Sequence, residues 1–211
     1  MEGNILVFCA HSDDEVIGMG GTISKYSAEG KKVITVIFSS GGKSSPWLKS
    51  DLVVKERIKE SQKIGKFIGS SKTIFLGLED MKLSEDIEKK HIKKEIIKLI
   101  KEYTPEKIFT HSAYDPHVDH RPVNKVVVEA LEETKKDIPL FAFEVWNIVD
   151  ETHPKIYMDV SKTFHKKIEA MKKFKSQRLY VYILLIPVYL RAIAIGILHG
   201  YKFGERFYKI K

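Results

Sequence analysis

The chain has 211 residues, a length that suits one globular domain able to bury a full core without cross-links. A hydrophobic fraction of 43% beside 30% charged residues excludes a disordered tail, a collagen-like repeat and a multi-span membrane protein. The single cysteine, Cys9, excludes a disulfide framework and a cysteine-cage zinc site. It points to a reducing compartment, and the opening Met1-Glu2-Gly3-Asn4 has no basic stretch before an apolar run, so a cytoplasmic protein is expected. The 36 basic against 28 acidic residues leave a net charge of +8, which would suit nucleic acid, an anionic membrane or an acidic substrate. The lysines, however, sit beside glutamates within helical patterns, as in Lys93-Lys94-Glu95 and Lys101-Glu102. That pattern reads as solvated helix faces with local ion pairs, and no nucleic-acid partner is expected.

Taken in chain order, residues 4–10 form an apolar run that predicts a buried parallel strand. Glycines follow, then a helix from Thr22 that closes at Gly30. Residues 32–39 predict a second strand, and 51–68 a helix with Ser50 placed to cap it. A short strand at 73–76 precedes a helix over 87–103, which Pro105 forbids from continuing. A fourth strand is expected at 107–110, and Pro122 suits the first turn of a helix running to Glu133. Strands at 140–146 and 155–160 follow, and then a helix to Phe174 capped by Ser161. This alternation predicts a single α/β domain over 1–211, a Rossmann-like, mostly parallel sheet with helices on both faces. Gly18-Met19-Gly20-Gly21 invites comparison with a dinucleotide fingerprint, but Ile23 stands at its last glycine position, so close helix packing explains these glycines better.

The tail has no charge from 179 to 190, and a second apolar run follows Arg191 as far as Leu198. Pro187 and Arg191 interrupt it as a membrane span. The favoured reading is a helix packed on the domain or at a subunit interface. Peripheral membrane contact through 179–200 is the rival, helped by the basic flank Lys172, Lys173, Lys175 and Arg178.

Ligands of parallel sheets gather beyond the carboxyl ends of the strands, and both chemically rich segments fall there. Ala10-His11-Ser12-Asp13-Asp14-Glu15 follows the first strand, and Asp115-Pro116-His117-Val118-Asp119-His120 follows the fourth. Helix capping would use one of these carboxylates and leave the histidines unexplained. Two imidazoles and one carboxylate are a frequent catalytic zinc set that leaves one position open for water. A second carboxylate is then needed to take the water's proton, and a further imidazole to steady an oxyanion or protonate a leaving amine. His111, at the end of the fourth strand, is a candidate for the layer around such ligands.

At these residues the chain resembles the LmbE-like, or PIG-L-like, zinc-dependent N-acetylglucosaminyl de-N-acetylases, which carry an A-H-P-D-D-E motif after the first strand and H-x-D-H further on. The resemblance continues through Gly18–Thr22, Arg57-Ile58-Lys59-Glu60, Phe143-Glu144-Val145-Trp146, Lys175-Ser176-Gln177 and Gly204-Glu205-Arg206-Phe207. It implies a three-layer sandwich and one Zn2+ per subunit held by His11, Asp14 and His120. It further implies Asp13 as general base, His117 as acid or carbonyl polariser, Asp119 as the carboxylate that orients His117, and Arg57 reaching the substrate. An N-acetylated amino-sugar conjugate is the implied substrate, and trimers or hexamers the implied assemblies. Ser12 stands where the family has proline, which removes one restraint on the turn that holds His11 and Asp13.

Overall fold

The computed structural model describes residues 3–39, 50–146, 152–176 and 178–211, the side chains of 50–53 aside. Its elements run β1 (Asn4–Cys9), α1 (Asp14–Ala28), β2 (Lys32–Ser39), α2 (Ser50–Ile68), β3 (Ser70–Leu78), α3 (Leu83–Lys89) and α4 (Ile92–Tyr103). They continue with β4 (Lys107–His111), α5 (His120–Thr134), β5 (Leu140–Phe143), β6 (Lys155–Asp159), α6 (Phe164–Lys173), α7 (Arg178–His199) and β7 (Gly204–Lys209). The strands form one sheet in the order β3-β2-β1-β4-β5-β7-β6. β1 pairs in parallel with β2 and β4, and only β7 runs against its neighbours β5 and β6. The mostly parallel α/β architecture expected from the sequence is therefore present.

Alternation along β1 explains the layering. Ile5, Val7 and Cys9 project into a core shared with α1, α2, α6 and α7, whereas Leu6, Phe8 and Ala10 meet α3, α4 and α5 on the other face. Both faces being covered, the strand reads as a continuous apolar run. The exposed lysines pair locally, as in Lys89 with Glu85 (3.1 Å) and Lys90 with Asp86 (2.9 Å), each one helical turn away.

Several boundaries differ from the sequence reading. The first helix starts at Asp14, eight residues before Thr22, and bends at Met19 (φ −147°). Its glycines serve close packing: a Cβ on Gly18 would fall 2.4 Å from the Phe143 ring, and one on Gly21 2.9 Å from Val160 Cβ. The helix expected over 87–103 is two, separated by His91 in a left-handed conformation (φ 52°). Ile87 and Ile92 are five positions apart and would face different sides of one continuous helix; the break lets both enter the same core. The strand at 73–76 extends over Ser70–Leu78, and the one expected over 140–146 ends at Phe143. Ser161 does not cap α6. Its hydroxyl accepts the N–H groups of Lys202 (3.0 Å) and Phe203 (3.2 Å) and so ties the entry of β7 to the end of β6. The side chain of Ser50 and the residue Gln177 lie outside the described set.

β7 was not foreseen as a strand, and it secures the bend in α1. The Glu205 carboxylate accepts the N–H groups of Gly21 (3.1 Å) and Thr22 (2.7 Å), donors that the kink at Met19 would otherwise orphan. Lys167 Nζ lies 2.6 Å from the same carboxylate, and both side chains are buried. Burial pulls the Lys167 amine below its ordinary range, against the attraction of Glu205. Removing one member of such a pair strands the other charge, so Glu205→Ala should cost roughly 3–5 kcal/mol in urea unfolding. Glu205→Leu combined with Lys167→Met should lose clearly less than the sum of the single changes. Additive losses would mean the pair is not coupled.

Candidate active site

β1 and β4 are neighbours with Val7 opposite Phe109, so the loops leaving their carboxyl ends must meet. The backbone already joins them: Ala10 N–H donates to His111 Nε2 (2.9 Å), and the His111 carbonyl accepts Asn124 Nδ2 (2.8 Å). Asp13 stands at the N-cap position of α1, yet its side chain makes no cap hydrogen bond; its carbonyl takes Val16 N–H (3.0 Å) and Ile17 N–H (2.9 Å). The capping explanation of the paired aspartates therefore does not hold.

The Asp14 carboxylate is the centre of the cluster. Oδ2 accepts His11 N–H (2.7 Å) and lies 3.5 Å from His11 Nδ1 and 3.2 Å from His111 Nε2, while Oδ1 lies 3.4 Å from His120 Nε2. The His11 and His120 rings are 5.4 Å apart between centroids, and His117 stands 4.8 Å from His11 and 4.5 Å from His120. Among the described residues, two overlapping sets, His11-His117-His120 and Asp14-His111-His120, each bring their ligand atoms within 4.8 Å of one another. Ligands about 2.0–2.1 Å from a tetrahedral zinc sit roughly 3.3 Å apart, and separate oxygens of Asp14 lie close to that spacing from His11 Nδ1 (Oδ2, 3.5 Å) and His120 Nε2 (Oδ1, 3.4 Å). The donor set, nitrogen and carboxylate oxygen in a largely buried pocket, fits that ion.

The outer nitrogens of these imidazoles also meet carboxylates. His11 Nε2 donates to Asp119 Oδ2 (3.1 Å), taking the tautomer that leaves Nδ1 towards Asp14. Asp119 is itself fixed by Met81 N–H (2.7 Å) and Leu83 N–H (3.3 Å), and Met81 accepts a left-handed backbone (φ 65°) to make that contact. His120 Nδ1 lies 2.9 Å from Asp115 Oδ1, somewhat off the line of a hydrogen bond. A carboxylate behind each ligating histidine is the usual way a metal site orients its ring. Asp115 was quoted in the sequence motif without a role; its place two residues before His117, whose N–H it accepts (2.9 Å), was the available signal. Asp119 was expected to orient His117 by its carboxylate. Instead its backbone N–H donates to His117 Nδ1 (3.2 Å), which puts the ring proton on Nε2, and the carboxylate serves His11.

The charges respond to this crowding. Burial, reinforced by the neighbouring Asp14, pushes the Asp13 carboxyl up to about 6. Burial also opposes charge on Asp14, but His120 and His111 outweigh it and hold that carboxyl well below the usual range. Burial opposes the imidazolium of His11 and of His120, yet hydrogen bonds donated to Asp119 and Asp14 raise the first to about 10, and Asp14 and Asp115 raise the second to about 9. His111, buried beside His120, falls to about 4. Burial, with His120 and His11 close by, also lowers His117.

The cluster opens into a cleft of about 320 Å³. Asp13, His117 and Arg57 line it, as do Asp80, Trp146 and Tyr180. Arg57 is buried with Nη1 3.9 Å from Asp80 Oδ2. Asp80 was missed, although it stands just past the carboxyl end of β3, where such residues are sought. Each sequence-predicted site residue thus reaches one place.

With that geometry in view, residues 6–131 match the PIG-L family, described as GlcNAc-PI de-N-acetylase, and the chain belongs to that family. Among curated proteins it is 24% identical to a diacetylchitobiose deacetylase of Thermococcus kodakarensis, over 95% of this chain and 80% of that one. It is 26% identical to a probable N-acetyl-α-D-glucosaminyl L-malate deacetylase of Bacillus cereus, over 84% of each. Among solved structures, the N,N'-diacetylchitobiose deacetylase of Pyrococcus horikoshii superposes with a TM-score of 0.82 at 24% identity, covering 99% of this chain and 84% of that one. A 4-carboxy-2-hydroxymuconate hydratase of Pseudomonas putida superposes equally well, 0.82 at 21% identity, over 100% and 97%. The fold alone therefore does not fix the reaction.

If Asp115 orients a metal ligand, Asp115→Asn should weaken zinc binding by about 10–100-fold in competition with a chelating dye. An unchanged affinity would remove that role.

Proposed function

We propose that this protein is a zinc-dependent hydrolase that removes the acetyl group from an N-acetylglucosamine-type sugar conjugate, releasing acetate and the free amine. The observation that carries the reading is the pairing, in one cleft, of an Asp14 carboxylate whose two oxygens lie 3.5 Å from His11 Nδ1 and 3.4 Å from His120 Nε2 with Asp13, a second buried carboxylate whose side chain does not cap α1. The deacetylase names of both curated relatives support the choice of reaction. We assign His11, Asp14 and His120 as the residues that would hold one Zn2+. Bound there, the ion supplies Lewis acidity and lowers the pKa of water towards ~7.

The protein's own residues then divide the work. Asp13, with a carboxyl near 6, is poised to take a proton from the attacking water at neutral pH. His117, its Nδ1 occupied by the Asp119 N–H, presents Nε2–H to the acetyl oxygen as negative charge develops there. As the C–N bond breaks, the proton passes to the leaving nitrogen, and acetate departs. Arg57, held against Asp80, offers its guanidinium to sugar hydroxyls or to an acidic aglycone. Asp119 acts through His11, whose ring it orients. The reducing interior of a cell is the setting assigned to this chemistry, and trimeric or hexameric assembly remains part of the proposal.

A substrate panel of N-acetylglucosamine conjugates scored for acetate, with and without chelator, tests the reading. Acetate release should vanish on chelation and return with added zinc; release that persists in the metal-free protein would contradict it. Asp13→Ala should lower kcat by about 10²–10⁴-fold with zinc content unchanged, and a near-normal rate would remove Asp13 as the base. His120→Ala should lose the metal by elemental analysis, and full stoichiometry would disprove its assignment as a ligand.

A further inference from the structure

Helix α7 is largely apolar around its circumference, yet among the described residues only one side of it is covered. Val181, Leu184, Val188, Ala192 and Ile195 are buried on the domain. At 100° per residue, Leu179, Ile183, Ile186, Leu190 and Ile197 fall within about 60° of arc on the opposite side. These five are between 60% and 75% exposed. Tyr182 and Tyr189, 47% and 43% exposed, flank the stripe on one side. Soluble monomers rarely leave so continuous an apolar strip in water.

The surrounding charge selects what covers it. From residue 170 to 204 the sequence has no aspartate or glutamate. Exposed Lys172, Lys173, Lys175 and Arg178 approach one end of the helix and exposed Lys202 leaves the other. Of these, Lys173 pairs with Glu169 (3.0 Å), and Glu60 accepts the backbone N–H of Lys175 (2.7 Å). A second copy laid α7 against α7 would meet basic ends with basic ends, with no acid on the helix to answer them. A bilayer carrying anionic headgroups matches the pattern: apolar strip, tyrosines at the headgroup level, cations at both ends. Spanning is ruled out by the covered side, because Arg191 Nη2 also donates to the Glu144 carbonyl (3.2 Å) and the buried stripe would have to be torn from the domain.

We propose that the outer face of α7 docks on an anionic lipid bilayer, with the helix lying in the plane of the surface and the domain on the aqueous side. Tyr180 and Leu184 of the same helix line the cleft, so docking holds the cleft mouth beside the headgroups. Lipid binding is read without turnover and stands apart from the deacetylase reading.

Flotation of the full-length protein with vesicles of phosphatidylcholine, alone or with about one-third phosphatidylglycerol, tests this. The protein should float with the anionic vesicles, hardly with the neutral ones, and less at high salt. Ile186→Glu combined with Leu190→Glu should lower partitioning by about tenfold or more, and Lys172→Glu with Arg178→Glu should lower it as well. The second pair keeps the test decisive should the first fail to fold, as judged by circular dichroism. Failure to float with anionic vesicles, or equal flotation of folded variants, would overturn the proposal. So would a lipid-free oligomer that Ile186→Glu with Leu190→Glu dissociates, which would give the face to a second copy of the chain.

Discussion

β1 and β4 run side by side in the same direction, and everything at the cleft descends from that pairing. Strand neighbours in a parallel sheet lie roughly 4.8 Å apart, so side chains at or just past their carboxyl ends are forced within ligand distance of each other. His111 at the end of β4 takes the N–H of Ala10 at the end of β1, which locks the two exits together before any functional side chain is placed. Asp14 can then reach back to the His11 N–H and across to His111 and His120 at once.

A carboxylate surrounded by three imidazoles is an expensive arrangement without a cation, since four polar groups are taken from water for contacts that are not all good hydrogen bonds. Burial and the Asp14 charge drive Asp13 up, while His120 and His111 hold Asp14 down against burial, which makes two adjacent, chemically identical side chains unlike one another. Such divergence in a cleft is what the proposed acid–base division of labour would use. The outer carboxylates of Asp115 and Asp119 extend the same logic by one layer.

Much of this was legible in the residues. The β-branched runs and their spacing revealed the parallel sheet because both its faces are covered, and the two motifs named the site because strand ends gather ligands. Three of the features that were not legible show why. The start of α1 was hidden by glycines that look like helix breakers but are needed where Phe143 and Val160 press on the backbone. β7 was hidden because its sequence, Gly204-Glu205-Arg206-Phe207, reads as a motif, while its strand pairing with β5 and β6 is a long-range event. The role of Asp119 beside His117 came from the family resemblance, whereas the fold turns its carboxylate to His11, more than a hundred residues earlier. Local pattern reveals which side chains arrive at a site; which of them touch depends on loop geometry that periodicity does not encode.

The assignment of His11, Asp14 and His120 as the ligands, with Asp13 left to handle the proton, is the claim on which the chemistry rests. Anomalous diffraction at the zinc edge from crystals of the metal-loaded protein tests it directly. The account predicts one peak at about 2.0–2.1 Å from His11 Nδ1, an Asp14 oxygen and His120 Nε2, with Asp13 beyond bonding distance. A peak seated among His11, His117 and His120, or one bonded to Asp13, would contradict it.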